Sequence, residues 1–397
     1  MQARTKRCPG AMWIATMGMG LAACASPPPP AAAPPPTPPP VAAASAPPAP
    51  ADTTPPPPAK PTLAELIPQA LKGIAEAFNA HDGKVIASYF TEDAVTDAYG
   101  EPTAHGRDEL TKAMEGLFAT FGDSRSVPTR VWIKGNVVVA ETVWTGTMTG
   151  DFMGMKATKK PVGEYRVDVM QFNDDGLIKE MHEYGDDAGL MAQMSGKKGA
   201  PPLPTLPTNL PELHVSKGTP EEDKLADWAK AVDDTFSKGD VKAAIATNAD
   251  DGDYWINFTG APATKGKKDL SKDLEGFFKA FPDQKWTTVN ALGIDGFAIV
   301  EHMMTGTQKG RLCALPASNK EVRDWHWLDI MQPTADGKLQ HGWGFANLVE
   351  VLAQTGALKM PGDKPTASPK PAAAVAPKPA PAAAGTTPAA TAESSKK

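Results

Sequence analysis

The segment GLIKEMHEYGD, residues 176–186, is typical of a closing β-strand that ends in a carboxylate. Side chains alternate between the two faces of a strand. One face of this strand therefore carries a row of mainly titratable groups: Ile178, Glu180, His182, Tyr184 and Asp186. Such a row can be solvated, or it can line a ligand cavity. The segment GKLQHGWGFAN, residues 337–347, has nearly the same pattern but ends in an amide. Because the chain repeats the pattern, a ligand cavity is the favoured interpretation.

An internal repeat surrounds these two segments. LTKAMEGLFATF at 110–121 returns as LSKDLEGFFKAF at 270–281, and DVMQ at 168–171 returns as DIMQ at 329–332. A repeat of this length indicates two domains of ordinary size joined by a Pro-rich linker. We predict three segments: domain 1 over residues 62–196, the linker over residues 197–218 and domain 2 over residues 219–358.

Each copy is predicted to begin with helices and to end with strands. Apolar residues at steps of three to four, such as Leu110, Met114, Leu117 and Phe121, indicate an amphipathic helix. A period of two follows in the later part of each copy. This order is typical of an α+β fold, with three helices packed on one face of a curved, mainly antiparallel sheet. A pocket is expected between the concave face and the helices, with five candidates to line it: Tyr99, His105, Trp132, Trp144 and Arg166.

The N-terminal part of the chain predicts export and a spacer. Basic residues precede a short apolar run that ends in LAAC at 21–24. This pattern is typical of an export signal and is too short for a permanent transmembrane helix. LAAC resembles a bacterial lipobox, in which Cys24 receives lipid; an ordinary cleaved signal is the alternative. We expect a signal peptide over 1–23, a lipid anchor on Cys24 and a disordered Pro/Ala-rich stalk over 24–61.

Composition restricts location and partners. Ala25 follows the cysteine where lipoproteins of the inner membrane usually carry Asp, so the resemblance favours the outer membrane of a Gram-negative cell envelope. The Ala/Pro/Lys-rich tail over 359–397 predicts disorder, with contact to an anionic cell-wall polymer as the alternative. A net charge of −6 without a basic run on a predicted helix argues against nucleic-acid binding. Cys8 is predicted to be removed with the signal peptide and Cys24 to carry lipid. Too few cysteines then remain for a cysteine-based metal site.

The order and spacing of several motifs resemble a known family, the SnoaL-like polyketide cyclase branch of the nuclear transport factor 2-like superfamily. The matching motifs are HGRD at 105–108, TGTMTGDF at 145–152, DGLI at 175–178 and LMAQM at 190–194 after Asp186. The resemblance implies a cone-shaped domain with a deep cavity, and chemistry without a metal or a cofactor. In cyclase members the carboxylate at the end of the last strand shuttles a proton in an aldol closure. The matching position here is Asp186.

Asp186 has two interpretations. As a catalytic group it needs a pKa raised by an apolar cavity, with His182 or Tyr184 nearby to polarise a carbonyl oxygen. As an N-cap it begins a terminal helical turn, a role that Asp and Asn fill equally well. The amide at Asn347 in domain 2 fits the second interpretation without any chemistry.

Ligand binding is the favoured function. In domain 2 an amide cannot exchange a proton at neutral pH, so His341, Trp343 and Asn347 suggest ligand binding, unless the rings simply fill the cavity. We expect a small apolar or aromatic ligand, and a pseudo-dimer in which the two domains pack sheet to sheet. The alternative function is a cofactor-free cyclase, isomerase or hydrolase that uses Asp186 and His182.

Overall fold

The computed structural model describes residues 60–152, 155–196 and 199–358. The predicted signal peptide, the lipid-bearing Cys24, most of the stalk and the C-terminal tail lie outside these residues. Within the described residues, no helix has both the length and the apolar character that crossing a membrane requires.

Domain 1 begins with helices and continues into a sheet, as its sequence periods predict. Its helices are α1 (Leu63–Asn79), α2 (Gly83–Ser88), α3 (Gly106–Thr120) and α4 (Asp187–Ser195). Its strands are β1 (Phe90–Ala98), β2 (Ala104–His105), β3 (Arg125–Lys134), β4 (Val137–Thr147), β5 (Pro161–Phe172) and β6 (Ile178–Tyr184).

The linker contributes one strand, β7 (Glu212–Val215), and domain 2 then repeats the order of domain 1. Its helices are α5 (Pro220–Ser237), α6 (Val241–Ala246), α7 (Lys267–Ala280) and α8 (Leu348–Thr355), with a 3₁₀ turn at Asn257–Thr259. Its strands are β8 (Asn248–Ile256), β9 (Thr264–Lys265), β10 (Lys285–Ile294), β11 (Phe297–Thr307), β12 (Glu321–Pro333) and β13 (Leu339–Ala346).

The two sheets share one topology. The first has the order β2-β1-β6-β5-β4-β3-β7 and the second has the order β10-β11-β12-β13-β8-β9. In each copy the closing strand pairs in parallel with the first strand and antiparallel with its other neighbour. Strand β7 adds a parallel pairing to β3 at the edge of the first sheet. The predicted α+β fold with a mainly antiparallel sheet is confirmed.

Short-range signals place the helix starts. Pro220 occupies the first turn of α5, where its missing N–H costs no hydrogen bond. Asp82 accepts a hydrogen bond from Val85 N at 3.0 Å, and Asp240 accepts one from Ala243 N at 3.1 Å. Each aspartate thereby satisfies a backbone N–H group that the helix itself cannot pair.

The two faces of each sheet have different neighbours. In domain 1, the helix-side face packs Val138, Met170 and Ile178 against helical residues such as Ile67 and Phe118. The opposite faces of the two sheets meet in one buried cluster that includes six residues of domain 2: Ile294, Phe297, Ile299, Leu328, Ile330 and Phe345. The residues of domain 1 in the same cluster are Trp132, Val139, Val167, Val169 and Tyr184.

Candidate functional site

The polar row of β6 lies on the face of the first sheet that contacts domain 2. His182 Nδ1 lies 2.8 Å from Oε1 of Glu301, and the Tyr184 hydroxyl donates a 2.9 Å hydrogen bond to the same oxygen. The alternate residues lie on the helix side: Met181 packs against the core there and Glu183 carries an ion pair inside domain 1. The predicted orientation of His182 and Tyr184 toward the cone is therefore corrected. Alternation fixes which residues share a face, but not which face is turned toward the helices.

Tyr99 and Trp132 also contact domain 2 rather than a pocket of domain 1. The Tyr99 ring stacks on the His326 ring, with centroids 3.8 Å apart and planes 6° apart. Trp132 is fully buried against Phe297 of domain 2 and stacks on His214 of the linker. Both rings were predicted to line the domain 1 pocket. They instead pack against domain 2, where burial of their large apolar surface is favourable.

Trp144 and His105 occupy different surroundings in domain 1. Trp144 is buried edge-to-face against Phe121 at 5.0 Å, and the guanidinium carbon of Arg166 lies 5.1 Å from its ring centre. His105 is exposed in front of α3, where its backbone N–H donates to Glu109 Oε2 at 2.8 Å. Neither side chain lines the two cavities that are described below.

The helix side of the first sheet carries a buried charged cluster. Arg166 Nε lies 2.5 Å from Glu164 Oε1, and Arg166 Nη1 lies 2.8 Å from Glu183 Oε1. Burial, together with the negative charge of Glu183, raises the pKa of Asp168 to about 8, although Arg166 opposes the shift. Arg166 was predicted to line a pocket, and its observed role is to neutralise neighbouring carboxylates.

Domain 2 contains a cavity of about 340 Å³ between its sheet and helices. Aromatic side chains form much of its wall: Phe236, Phe258, Phe277, Trp286 and Trp327. Four polar side chains form its base: Asp233, Tyr254, His302 and Asp329. The size and the mixture of apolar walls with few polar groups are those of small-molecule sites.

The polar base of this cavity is a network of hydrogen bonds that one ion pair, between His302 and Asp329, connects. His302 Nδ1 lies 2.7 Å from Asp233 Oδ1, and His302 Nε2 lies 3.3 Å from Asp329 Oδ2. The other carboxylate oxygen of Asp329 accepts hydrogen bonds from the Tyr254 hydroxyl and, at 2.9 Å, from Trp327 Nε1. The network holds each group in one orientation at the base of an apolar space.

The central imidazole of the network carries a positive charge at neutral pH. Burial by itself would lower the pKa of His302, but hydrogen bonds to Asp233 and Asp329 outweigh it and raise the pKa to about 9. Burial and the charge of Asp329 raise the pKa of Tyr254 well above its usual value, so its hydroxyl keeps its proton. Within the described part of the chain, no group of three or more His, Cys, Asp and Glu side chains could hold a metal ion.

The residues at this base were not predicted from the sequence, although the repeat contained a signal. Asp168 and Asp329 begin the repeated tetrapeptides DVMQ and DIMQ, and both lie in the penultimate strand of a copy. His302 has Thr142 as its counterpart at the repeat offset, 302 − 142 = 160. The aspartate at the cavity base of domain 2 therefore has a counterpart in domain 1, whereas the histidine is replaced there by threonine.

The three predicted ligand residues of domain 2 lie outside this cavity. His341 Nδ1 lies 3.0 Å from Asp253 Oδ1, and the Trp343 ring lies 4.1 Å below the guanidinium carbon of Arg130 in domain 1. Asn347 caps α8 by accepting from the backbone N–H of residue 349 at 3.0 Å. His341 thus pairs within domain 2, Trp343 contacts domain 1 and Asn347 begins a helix, so their predicted position in a pocket is corrected.

Asp186 begins α4 and also lines a second cavity. Its Oδ1 accepts a 3.0 Å hydrogen bond from Gly189 N, and its own N–H donates to Glu164 Oε2 at 2.5 Å. The side chain is almost completely buried. Burial and the negative charge of Glu164 raise the pKa of Asp186 to about 7, although the Gly189 hydrogen bond opposes the shift. Asp186 thus both caps α4 and is a buried carboxyl with a raised pKa.

We expect Asp186→Asn to raise the free energy of unfolding at pH 8 by about 1–2 kcal/mol. The folded state keeps a proton on Asp186 between about pH 4 and pH 7 that the unfolded chain has lost, so stability falls as pH rises through this window. An amide keeps the cap without this loss, as Asn347 shows. The gain is less than the full pKa shift implies, because Asp186 borders a cavity and not close-packed protein on every side.

Urea unfolding at pH 5 and pH 8 measures this effect. The reverse substitution, Asn347→Asp, is the matched control, because it places a second carboxylate beside Asp187 Oδ2, which Asn347 Nδ2 now contacts at 2.7 Å. We expect the control to lose stability at pH 8. Equal stability of Asp186→Asn and the wild type at pH 8 would contradict the raised pKa.

Comparison with known proteins places both domains in one family. Residues 69–194 and residues 226–355 each match the family model described as SnoaL-like polyketide cyclase, and together these segments cover more than half of the chain. The chain belongs to this family. No curated protein matches the sequence.

Three solved structures are each similar to about one third of this chain. A SnoaL-like protein of Jannaschia sp. CCS1 is 18% identical over 34% of this chain and 94% of its own, with a TM-score of 0.32. AclR from Streptomyces galilaeus is 21% identical over 34% of this chain and 99% of its own, with a TM-score of 0.31. IdmH from Streptomyces antibioticus is 23% identical over 32% of this chain and 97% of its own, with a TM-score of 0.29.

Proposed function

We propose that this SnoaL-like protein is a cell-envelope lipoprotein whose second domain binds a small apolar or aromatic ligand. The observation that carries the proposal is the aromatic-walled cavity of about 340 Å³ in domain 2, closed at its base by the His302 and Asp329 network. Apolar walls give affinity by burying the ligand, and a few fixed polar groups give orientation. A planar ligand with one hydroxyl or carbonyl group fits both features.

The cellular location rests on the sequence. The LAAC segment places a cysteine, Cys24, where a lipid anchor would attach, and the Pro-rich stalk would hold both domains away from the membrane. We propose the outer membrane of a Gram-negative bacterium as the site of anchoring. Mass spectrometry of the mature N-terminus tests this step independently of ligand binding.

We further infer that the two domains act as a pseudo-dimer within one chain. Two observations support this: the sheets share a buried apolar cluster, and His182 and Tyr184 of domain 1 both contact Glu301 of domain 2. In this arrangement domain 1 supports the sheet that forms one wall of the domain 2 cavity.

A second candidate function is cofactor-free acid–base chemistry of the cyclase, isomerase or hydrolase type. The pKa of about 7 at Asp186 favours it, because a carboxyl with that pKa both donates and accepts protons near neutral pH. His182, the other predicted catalytic residue, is engaged by Glu301. A compound that co-purifies with the protein separates the two functions, since chemistry requires that the wild type alter it and that Asp186→Asn leave it unaltered.

We expect Gly276→Leu to weaken binding of 1-naphthol by at least about 10-fold, a change of about 1.4 kcal/mol. Gly276 is an exposed residue of α7 that lines the cavity, and a Cβ added there meets no atom within 4 Å, so a leucine fits, and we expect it to cover part of the cavity opening. The same change also removes a helical glycine, which favours folding. Calorimetric titration of the full chain with 1-naphthol measures the affinity.

Gly116→Leu is the matched control. Gly116 is the counterpart of Gly276 in domain 1, 276 − 116 = 160, and a Cβ there also meets no atom within 4 Å. Affinity for 1-naphthol should be unchanged in this control. Equal affinity in the two variants, or no saturable binding by the wild type, would contradict a ligand site in domain 2.

A further inference from the structure

A second cavity, of about 220 Å³, lies where domain 1, the linker and domain 2 meet. Domain 1 contributes Asp186, the linker contributes Pro201 and Pro202, and domain 2 contributes Trp255 and Pro262. The linker lies outside both segments that match the family model. This cavity is therefore a product of the tandem arrangement and not of a single SnoaL-like domain.

Two amide side chains at this cavity, Gln193 and Asn257, are held by hydrogen bonds within the protein. Gln193 Nε2 donates to the carbonyl oxygens of Gly163 at 2.9 Å and Pro201 at 3.2 Å. Asn257 Nδ2 donates to a backbone carbonyl at 3.0 Å, and its Oδ1 accepts from two backbone N–H groups. Asp186 differs, because its Oδ1 accepts from Gly189 N while no described residue donates a hydrogen bond to its Oδ2.

The open carboxylate oxygen belongs to a deeply buried side chain. Asp186 is 3% exposed and lines the cavity. A buried carboxylate without a hydrogen-bond donor or cation is costly. The nearest carboxylate, Glu164, is itself paired with Arg166 at 2.5 Å. A ligand that brings its own positive charge and N–H donors would therefore relieve the cost at Asp186.

Capping does not require this charge. Asn347 begins α8 at the equivalent place in domain 2 and accepts from the backbone N–H of residue 349 at 3.0 Å. An amide thus performs the structural task in the other copy. The negative charge of Asp186 is not needed for capping, and it can bind a cation.

The walls of the cavity suit an organic cation rather than a hydrated metal ion. Tyr165 and Trp255 form an edge-to-face pair with ring centroids 5.5 Å apart, and prolines of the linker supply further apolar surface. Aromatic faces attract ammonium groups and also pack against hydrocarbon. The combination of one carboxylate with aromatic and proline walls matches an amine that carries an apolar body.

We propose that this interdomain cavity binds a small primary amine, whose ammonium group pairs with Asp186 Oδ2 and whose apolar body packs on Trp255 and the linker prolines. The site is separate from the apolar ligand site of domain 2, although Ala261 and Pro262 line both cavities. The proposal does not require that the larger cavity be occupied.

Calorimetric titration of the full chain with benzylamine at pH 8 tests the proposal. Benzyl alcohol, which has a similar shape but no charge, is the control compound. We expect saturable binding of benzylamine by the wild type, and binding at least 10-fold weaker in Asp186→Asn, since a hydrogen bond to a charged group contributes about 1.5–3 kcal/mol. Benzyl alcohol should bind both proteins equally. Asp186→Asn is expected to be more stable than the wild type at this pH, so lost binding cannot be ascribed to unfolding.

Gly276→Leu separates this proposal from the apolar site. Gly276 lines only the larger of the two cavities, so this variant should bind benzylamine as the wild type does while it binds 1-naphthol more weakly. Equal benzylamine affinity in the wild type and Asp186→Asn would overturn the proposal. Weakening by Gly276→Leu would also overturn it, because the amine would then occupy the larger cavity.

Discussion

Arg166→Met is expected to lower the free energy of unfolding by about 3–5 kcal/mol at pH 8. Arg166 is the buried cation between Glu164 and Glu183, with contacts of 2.5 and 2.8 Å, and these three side chains are 14%, 6% and 21% exposed. A methionine fills a similar volume but leaves both carboxylates, and Asp168 beside them, without a compensating charge. Removing one partner of a buried ion pair costs far more than the pair itself contributes.

The loss should depend strongly on pH. Burial already raises the pKa of Glu183 and of Asp168, and Arg166 opposes both shifts. Without the guanidinium these pKa values rise further, so the folded state takes up protons that the unfolded chain lacks, and stability falls as pH rises. The deficit of Arg166→Met should therefore be smaller at pH 5 than at pH 8.

Arg323→Met is the control for this experiment. Arg323 pairs with Glu321 at 2.6 Å, but the two side chains are 70% and 49% exposed. Solvent screens an exposed pair, so this variant should remain close to the wild type at both pH values. Urea unfolding measures the free energy of unfolding of both variants. Similar losses in the two variants would show that the charge at Arg166 is not desolvated.

The fold could be predicted because its signals are local or repeated. Helix periods and caps such as Asp240 are read within one turn, and the motif of α3 recurs in α7. Strand alternation in β6 was also correct, since His182 and Tyr184 do share a face. The sequence could not show that this face contacts a second sheet, because a row of His, Tyr and Glu is compatible with solvent, a ligand or a partner domain.

The residues that line the domain 2 cavity could not be predicted, for a different reason. His302 contacts Asp233 on a helix 69 residues earlier in the chain, and Tyr254 contacts Asp329 over 75 residues. No local pattern links such pairs. The repeat marked Asp329 through its counterpart Asp168, but a repeated aspartate alone does not distinguish a buried network from a surface position. Asp186 is buried, as its predicted catalytic role would require, and the wall that the linker builds beside it was not foreseen.

Glu301→Ala is expected to lower the free energy of unfolding by about 3–5 kcal/mol and to uncouple the two domains. Glu301 belongs to β11 of domain 2, is 4% exposed, and accepts hydrogen bonds from His182, Tyr184 and Asn290 at 2.8, 2.9 and 3.2 Å. Its removal takes the acceptor from the buried Tyr184 hydroxyl and leaves His182 with only its 3.3 Å contact to Glu180. Each unsatisfied buried group costs about 1–3 kcal/mol.

The charges at this contact predict its pH dependence. Burial would lower the pKa of His182, but hydrogen bonding to Glu301 outweighs it, so the pKa of His182 is raised. Burial would raise the pKa of Glu301, but the hydrogen bond from His182 outweighs it, so that pKa is lowered. The contribution of His182 is fully present below its unfolded pKa and is lost as pH rises through the folded pKa. Glu301→Ala should thus cost more at pH 6 than at pH 9.

Glu222→Ala distinguishes lost coupling from a general loss of stability. Glu222 is also 4% exposed in domain 2, but it accepts hydrogen bonds from Ser216, the backbone of Lys217 and the backbone of Asp295, all outside domain 1. Scanning calorimetry should show both variants less stable than the wild type, with separate transitions for the two domains only in Glu301→Ala. A single transition in Glu301→Ala would mean that the apolar cluster between the sheets couples the domains without the polar contact. The sheet-to-sheet arrangement would then depend on burial alone, and His182 would be free to serve another role.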